Sequence, residues 1–391
     1  SFKMKILIIG GDGYLGWPTA LHLANQNFKV CLIDNFSKRK IEIDNGINPL
    51  QILNPLKTRV RDWNKFIKNN RKKIQFYSGD ILNQRFISRV LSKFKPDHII
   101  HYGEQPSAPY SMMGKGEAEF TQKNNILGNL NLLFAIKRVC PNAHIIKLGT
   151  MGLYGTPNID IEEGYIKIKH KGRSDKALFP MRPHSFYHLS KAADSMNLEF
   201  VCRVWGFKVT DLHQGVVYGV NTKETNYKKE FITSFHYDHI FGTVINRFLA
   251  QAVTNYPLTV YGSGEQVRTF LNINDTLQCI FLSIKNPAKK YEYKVRNQFT
   301  EKFSIMELAQ KIKKAGLKLG LKVKIKKIDN PRVEKKKHYY NPINKEFNKI
   351  GLKPTKLNEN FIISSLKYLT KHKDKINKNV FYPKVKWKNK K

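Results

Sequence analysis

In SFYHLSKAAD, residues 185–194, Tyr187 and Lys191 stand four positions apart. On a helix that spacing puts both on one face. A lysine ammonium beside a phenol lowers the phenol's pKa towards neutrality, and the tyrosine can then serve as a general base. Thr150 closes HIIKLGT (144–150), an apolar run that reads as a buried strand. Its hydroxyl can hold the same substrate hydroxyl that the phenol deprotonates. His188 adjoins Tyr187. Histidine titrates near neutral pH, so it is a second candidate proton carrier, set against a plain packing role.

The chain opens with KILIIGGDGYLGWPTALHLANQNFKVCLIDN, which reads as strand, glycine turn, helix and strand. A lone G-x-x-G-x-x-G is a weak signal. Between a strand and a helix, with an acid ending the next strand, it is a strong one. Gly10, Gly13 and Gly16 allow a tight turn and bring a pyrophosphate close to helix amides that favour an anion. Gly11, Asp12, Tyr14 and Leu15 complete the turn. Asp34 is placed to accept from adenosine ribose hydroxyls, with Asn35 and Arg39 beside it, which favours NAD over NADP. Ser37, Lys38 and Arg39 argue for a 2′-phosphate, but Asp34 would repel one. Asp80 and Ile81, after the third strand, are expected to bracket the adenine.

Strands and helices go on alternating through IQFYSGD (74–80), DHIIHYG (97–103), a helix over 118–138 and HIIKLGT. That predicts an α/β fold, a doubly wound parallel Rossmann sheet, followed by a smaller mixed α/β C-terminal substrate domain. The expected division is 1–215 for the NAD-binding domain, with a hairpin insertion at about 156–182 as a lid candidate. Residues 216–370 form the sugar-nucleotide domain, and 371–391 a basic, exposed tail. The 391 residues are 41% hydrophobic, which argues against wholesale disorder. No apolar run is long enough to span a membrane. Neither is a secretory signal visible, and Ser1–Lys3 read as a cloning scar or the stub of a leader. The four cysteines (31, 140, 202, 279) are scattered and read as reduced core residues. The net charge of +39 is spread along the whole chain and reads as a solvated surface without a specific nucleic-acid partner. HYDH (236–239) lacks a third ligand, so no metal is expected.

Longer blocks narrow the reading. GGDGYLGW, GEQPSAPYSM, KLGTMGLYGTPNIDIEEGYI, SFYHLSK, DLHQGVVYG, NQFTEKFS and NPRVEKKKHYYN resemble the UDP-sulfoquinovose synthases, a branch of the extended short-chain dehydrogenase/reductases. The likeness runs from about Lys5 to about Leu369. Departures stand at Pro106, Leu153 and His213, where that family usually has Arg, Glu and Asn.

The resemblance implies conversion of UDP-glucose and sulfite to UDP-sulfoquinovose and water, with bound NAD transiently reduced. It implies Thr150, Tyr187 and Lys191 as catalytic residues, and His188, beside Tyr187, is the candidate to move the C5 and C6 protons. Gln105, Ser107, Gly152, Gln214, Arg268 and Arg332 are implied on the substrate side with Thr150 and Tyr187. Asn125 and Val217 join Tyr187 and Lys191 around the cofactor. Sugar dehydratases of the superfamily carry an Asp–Glu pair after the Thr; Met151 and Gly152 stand there instead. Two carboxylates beside C6 would repel sulfite by on the order of 4 kcal/mol at about 4 Å and an effective dielectric near 20. The resemblance further implies a homodimer through helix 118–138 and the Tyr187 helix. The expected compartment is the cytoplasm, or the plastid stroma if a transit peptide was removed; a sulfite-supplying protein is left open. Two other readings remain at this level: a UDP-sugar 4-epimerase or 4,6-dehydratase, and a basic binding protein on a dinucleotide fold.

Overall fold

The computed structural model describes residues 4–388. Ser1–Lys3 and the last three positions of the basic tail lie outside the described residues. Seven strands build the central sheet: β1 (Lys5–Ile9), β2 (Lys29–Asp34), β3 (Ile74–Ser78), β4 (His98–His101), β5 (His144–Thr150), β6 (Lys208–Gln214) and β7 (Tyr293–Gln298). Their order is β7-β6-β5-β4-β1-β2-β3, and every pairing is parallel. This is the expected doubly wound sheet. Parallel strands with helices on both faces lose the alternation of apolar and polar residues. Successive residues here feed two cores. Ile6, Ile8, Val30, Leu32 and Ile146 pack with Trp17 and Leu21 on one face. Leu7, Ile9, Cys31, Ile33 and Ile145 pack with Ile87, Leu133 and Leu198 on the other.

The sheet takes one strand from beyond the division expected at residue 215: β7 pairs along its full length with β6. A third core, around Phe248, Phe270, Leu308 and Leu366, holds the helices at 244–253, 305–318 and 359–370 and the short sheets formed by 216–218, 267–272 and 301–304 and by 258–261 and 325–328. No helix among the described residues is long and apolar enough to cross a membrane.

Two expectations are corrected. The hairpin, strands Tyr165–His170 and Arg173–Leu178, reaches the outer side of the long helix Phe186–Trp205, where the Tyr165 hydroxyl donates to Glu199 at 2.8 Å. None of its residues lines the central cleft, so it is no lid in this structure. The basic tail is not free: Phe381 is wholly buried, and Ile376 and Val380 join the third core. The lysines conceal a set of apolar anchors.

At the N-terminal edge of the sheet, His98 and His144 meet Nδ1 to Nδ1 at 3.0 Å. Burial pushes His98 down to about 4 and His144 down to about 2. The unfolded chain takes up a proton near the ordinary 6.5; the folded His98 does not until about 4. Stability is therefore complete above pH 6.5 and lost as pH falls towards 4. At pH 5.5 this loss is on the order of 1 kcal/mol. Denaturant melts at pH 7.5 and 5.5 should show wild type losing that much more stability than His98→Gln; equal losses would mean that His98 titrates normally.

Candidate active site

One continuous cleft crosses the C-terminal ends of the strands, at the point between β1 and β4 where the strand order reverses. At one end lie Gly10, Gly13, Tyr14, Leu15, Gly16, Asp34, Asn35 and Ile81; Tyr187 and His188 stand in the middle; Arg247, Tyr261, Arg268 and Arg332 close the other end.

The glycine turn is shaped by contact. Gly10 has φ +88°, and a Cβ there would come within 2.8 Å of the Tyr102 backbone. The helix Gly16–Asn25 begins directly behind it. Gly11 does not face the cleft; it packs on Leu32. Asp12 does line the cleft, but as half of an ion-paired cluster. Its carboxylate is clamped by Arg39 at 2.5 Å and by Arg59 at 2.6 Å. Arg59 is fully buried under the turn, its guanidinium 4.8 Å from the Trp17 ring. The clamp neutralises an acid that would otherwise face a pyrophosphate. Asp34 accepts from the main-chain N–H of Asp12 at 2.8 Å and of Phe36 at 2.7 Å, and still lines the cleft. Burial, then Asp12, push it up to about 6. Asn35 donates to Asp80 at 3.0 Å, fixing that corner. The turn, the helix amides and the ribose-facing acid fit a dinucleotide.

Thr150 ends β5 level with Gln214 of β6, and Gln214 with Gln298 of β7. The Thr150 hydroxyl accepts from the Gly152 N–H at 3.1 Å and lies within reach of the Tyr187 phenol. Ser185 caps the long helix, so Tyr187 and His188 occupy its first turn. Lys191 sits 5.7 Å from the Tyr187 ring centre, but its ammonium donates to Glu104 at 2.8 Å and to the Leu148 carbonyl at 2.7 Å. This corrects the expected electrostatics. The phenol is pushed up, by burial first and then by Glu104, while Lys147 and Thr150 pull against them. Glu104 itself bridges Lys191 and Lys147, the latter at 2.5 Å, and Lys147 also meets Asp194 at 3.1 Å. Burial opposes the Glu104 charge, but Lys147 and Lys191 outweigh it and hold the carboxyl below its usual range.

His188 takes the place left by the missing carboxylates. A Cβ on Gly152 would collide with Cδ2 and Nε2 of the imidazole, so the glycine makes room for the ring. Met151 turns into the core. Ser185 Oγ contacts His188 Nδ1 at 2.9 Å and accepts from the His188 N–H at 3.0 Å. The expected neutral-range titration is corrected as well: burial, then Arg332 and Arg268, push His188 down to about 3.

Other expected residues fall in different places. Ser107 and Val217 line the cleft, as does Gln214, which donates to Gln298 at 3.0 Å. Gln105 does not: its amide donates inward to Thr121 and to the Ser107 carbonyl. Asn125, in a π-helical turn over 123–127, accepts from the Gln105 N–H at 2.8 Å and donates to Ser190 at 3.0 Å. It braces the 105 loop to the long helix and stays out of the cleft. Of the three departures only Pro106 reaches the cleft. Leu153 is core, and His213 lies buried between Tyr154 and Asp211. In HYDH, His236 pairs with Glu42 at 2.8 Å and His239 faces the Val380 carbonyl. Sequence reasoning missed Glu104, Lys147, Asp194, Arg59 and Arg247. Only Lys147 carried a signal, a lone charge inside an apolar strand.

This fold and site define a dinucleotide-dependent enzyme of sugar nucleotides, and residues 6–297 match the NAD dependent epimerase/dehydratase family. A solved UDP-glucuronic acid 4-epimerase from Bacillus cereus shares the fold, with a TM-score of 0.68 at 20% identity over 94% of this chain and 99% of that one. The chloroplastic UDP-sulfoquinovose synthase of Spinacia oleracea is 47% identical over 388 residues, 99% of this chain and 80% of that protein. The UDP-sulfoquinovose synthase of Sulfolobus acidocaldarius is 40% identical over 387 residues, 98% of each. Within the epimerase/dehydratase family, the chain belongs to the UDP-sulfoquinovose synthases.

Gly152→Ala tests the space under His188. The added methyl must turn the imidazole, and turnover should fall by about 10²-fold, the cost of a ~1 Å misplacement. Melting should move by no more than a few degrees. A folded variant with wild-type turnover would make His188 a packing residue.

Proposed function

We propose that this chain converts UDP-glucose and sulfite to UDP-sulfoquinovose and water, using NAD as a recycled oxidant. One observation carries the reading. A single cleft joins a dinucleotide turn to an arginine-rich end, with Thr150, Tyr187 and Lys191 beside its middle and a neutral imidazole where sugar dehydratases carry two acids. NAD, when bound, accepts a hydride from sugar C4 and later returns it. The specificity for NAD rests on Asp34. The nearby cations are engaged elsewhere, Arg39 with Asp12, and Lys38 over the Phe241 ring and 3.9 Å from Glu42.

Tyr187 removes the proton from O4 as the C4 hydride leaves, and Thr150 holds that oxygen. The C4 ketone acidifies the C5 proton. His188 Nε2 takes it and passes it to the departing C6 hydroxyl, which leaves as water. Sulfite, arriving as bisulfite, then adds through sulfur to C6 of the enone, and the proton it gives up passes through His188 to C5. Tyr187 returns its proton to O4 as the hydride comes back. The Ser185 hydroxyl can donate to or accept from His188 Nδ1, so Nε2 can act in both directions. Arg268, Arg332 and Arg247 suit the diphosphate, whose charge guanidinium binds in forked geometry. The Asp–Glu pair that would repel sulfite beside C6 is replaced by Met151 and Gly152. The 4-epimerase and 4,6-dehydratase readings are less favoured, since the relatives at 47% and 40% identity are named synthases.

A second copy of the chain suits the exposed apolar residues Leu127 and Phe134 on one helix and Phe186, Leu189, Met196 and Phe200 on the next. Burying such a stripe is the ordinary driving force for a homodimer.

Purified protein given UDP-glucose and sulfite, without added NAD, should form UDP-sulfoquinovose by mass spectrometry. Tyr187→Phe should lose on the order of 10²–10⁴ of that rate, the value of a positioned general base. UDP-galactose or a stable 4-keto-6-deoxy sugar as product would overturn the reading.

In deuterated water with UDP-glucose, wild type should exchange the C5 proton. His188→Ala should still oxidise C4 yet exchange C5 at least about 10²-fold more slowly, the lower range for general-base catalysis. Undiminished exchange would remove His188 from the proton path.

A further inference from the structure

After the helix Glu359–Thr370 the chain turns back across the third core. Phe381 is buried with its ring 5.8 Å from Tyr237 and 5.1 Å from Tyr256. The Asn377 N–H donates to the Tyr237 hydroxyl at 3.0 Å. After the short 3-10 turn Lys378–Val380 the chain runs without helix or ladder. Pro383, Val385 and Trp387 are half-buried, while Lys384, Lys386 and Lys388 are exposed. That is the period of an extended strap with one face seated.

The strap ends on the segment that carries Arg332. The Trp387 N–H donates to the Pro331 carbonyl at 2.9 Å, and the Arg332 guanidinium lies over the indole, 4.9 Å from the ring centre. Arg332 lines the cleft together with Arg247 and Arg268. The acid on the cleft wall beside them is Glu334, and it is paired with Arg268. Arg332 is therefore crowded by like charge, and among the described residues no carboxylate forms a salt bridge with it. The other two guanidiniums are held: Arg268 by Glu334, and Arg247 by the Thr259 carbonyl at 3.1 Å and the Tyr261 ring at 4.5 Å. For Arg332 the indole face does this holding, through cation–π attraction that leaves the N–H fork free.

We propose that Trp387 is a positioning residue of the diphosphate seat: the tail straps across the C-terminal core and its indole holds Arg332 towards the cleft. The proposal rests on the arginine seat described under the proposed function. It gives the basic tail a role that its lysines do not suggest, because those point away from the site.

The test measures UDP affinity by calorimetry on the full chain, together with steady-state kinetics. Trp387→Ala should weaken UDP by about tenfold, the scale of a desolvated cation–π contact. The KM for UDP-glucose should rise in step, with kcat, the KM for sulfite and the co-purified NAD unchanged. A general loosening of the fold would move all four. Trp387→Phe, which keeps a π face, should stay within a few-fold of wild type; Trp387→Leu, which keeps only apolar bulk, should behave like Trp387→Ala. The Phe and Leu pair decides the question even if the alanine variant folds poorly. Adding Trp387→Ala to Arg332→Ala should cost nothing further. Additive losses, or a wild-type KM in Trp387→Leu while Arg332→Ala binds UDP weakly, would overturn the proposal and leave the seat intact. Wild-type UDP affinity in Arg332→Ala would overturn the seat itself, and the strap's role with it.

Discussion

A carboxylate buried between two ammonium groups ties together the parts of the chain that make the site. Glu104 follows β4, Lys147 lies within β5, and Lys191 and Asp194 lie on the long helix. All four are nearly inaccessible to water. Desolvating such charges costs several kcal/mol per ion, so each must keep its partners. That requirement fixes the distance from sheet to helix. It also determines where Lys191 stands relative to Tyr187, and how strongly the lysine's charge is felt by the phenol. The cluster is weak evidence for stability by itself, since an apolar core of the same shape can be more stable. Its consequence is geometric: loop, strand and helix cannot slide independently.

Around that anchor, unwelcome charge is neutralised or left out. The glycine turn contains an acid on the cleft wall, and two arginines neutralise it. The strand end lacks the acids of the dehydratases, and Gly152 admits an imidazole in their place. Burial and the neighbouring arginines keep that imidazole neutral. The three positions that depart from the synthase pattern are also explained by place. Leu153 and His213 are absorbed into the interior, so only Pro106 changes what a ligand meets.

Distant segments complete the other end of the cleft. Asp160 pairs with Tyr339 and Asn341, Ile161 bridges Pro342, and Glu163 accepts from the N–H groups of Asn297 and Glu346. The stretch after Thr150 thereby staples β7 and the chain downstream of Arg332 to the central sheet. The tail then reaches Arg332 from the opposite direction. The arginine end is thus held from both sides by chain far from it in sequence.

The alternation of apolar runs and helical patterns determined the parallel sheet, because strands covered on both faces must be apolar throughout. The glycine turn and the Thr, Tyr and Lys positions were legible for a related reason: each is a short-range pattern imposed by backbone geometry or helical period. The long blocks around them were enough to indicate the synthase family. The charge state of the site was not legible. Whether Lys191 lowers the phenol depends on Glu104, which lies far from it in sequence, and the low pKa of His188 depends on burial and on arginines from the C-terminal half. Gln105 and Asn125 read as ligand contacts but turned inward, since their neighbours' unpaired N–H and C=O groups needed partners. The tail read as a solvated charge run because lysine dominates its composition; only folding brought Phe381 against Tyr237 and Tyr256, and Trp387 against Arg332. Local pattern, then, set the elements and the reactive residue types. Ionisation, orientation and the closure of the cleft were decided by tertiary structure, because each depends on which distant groups share a space without water.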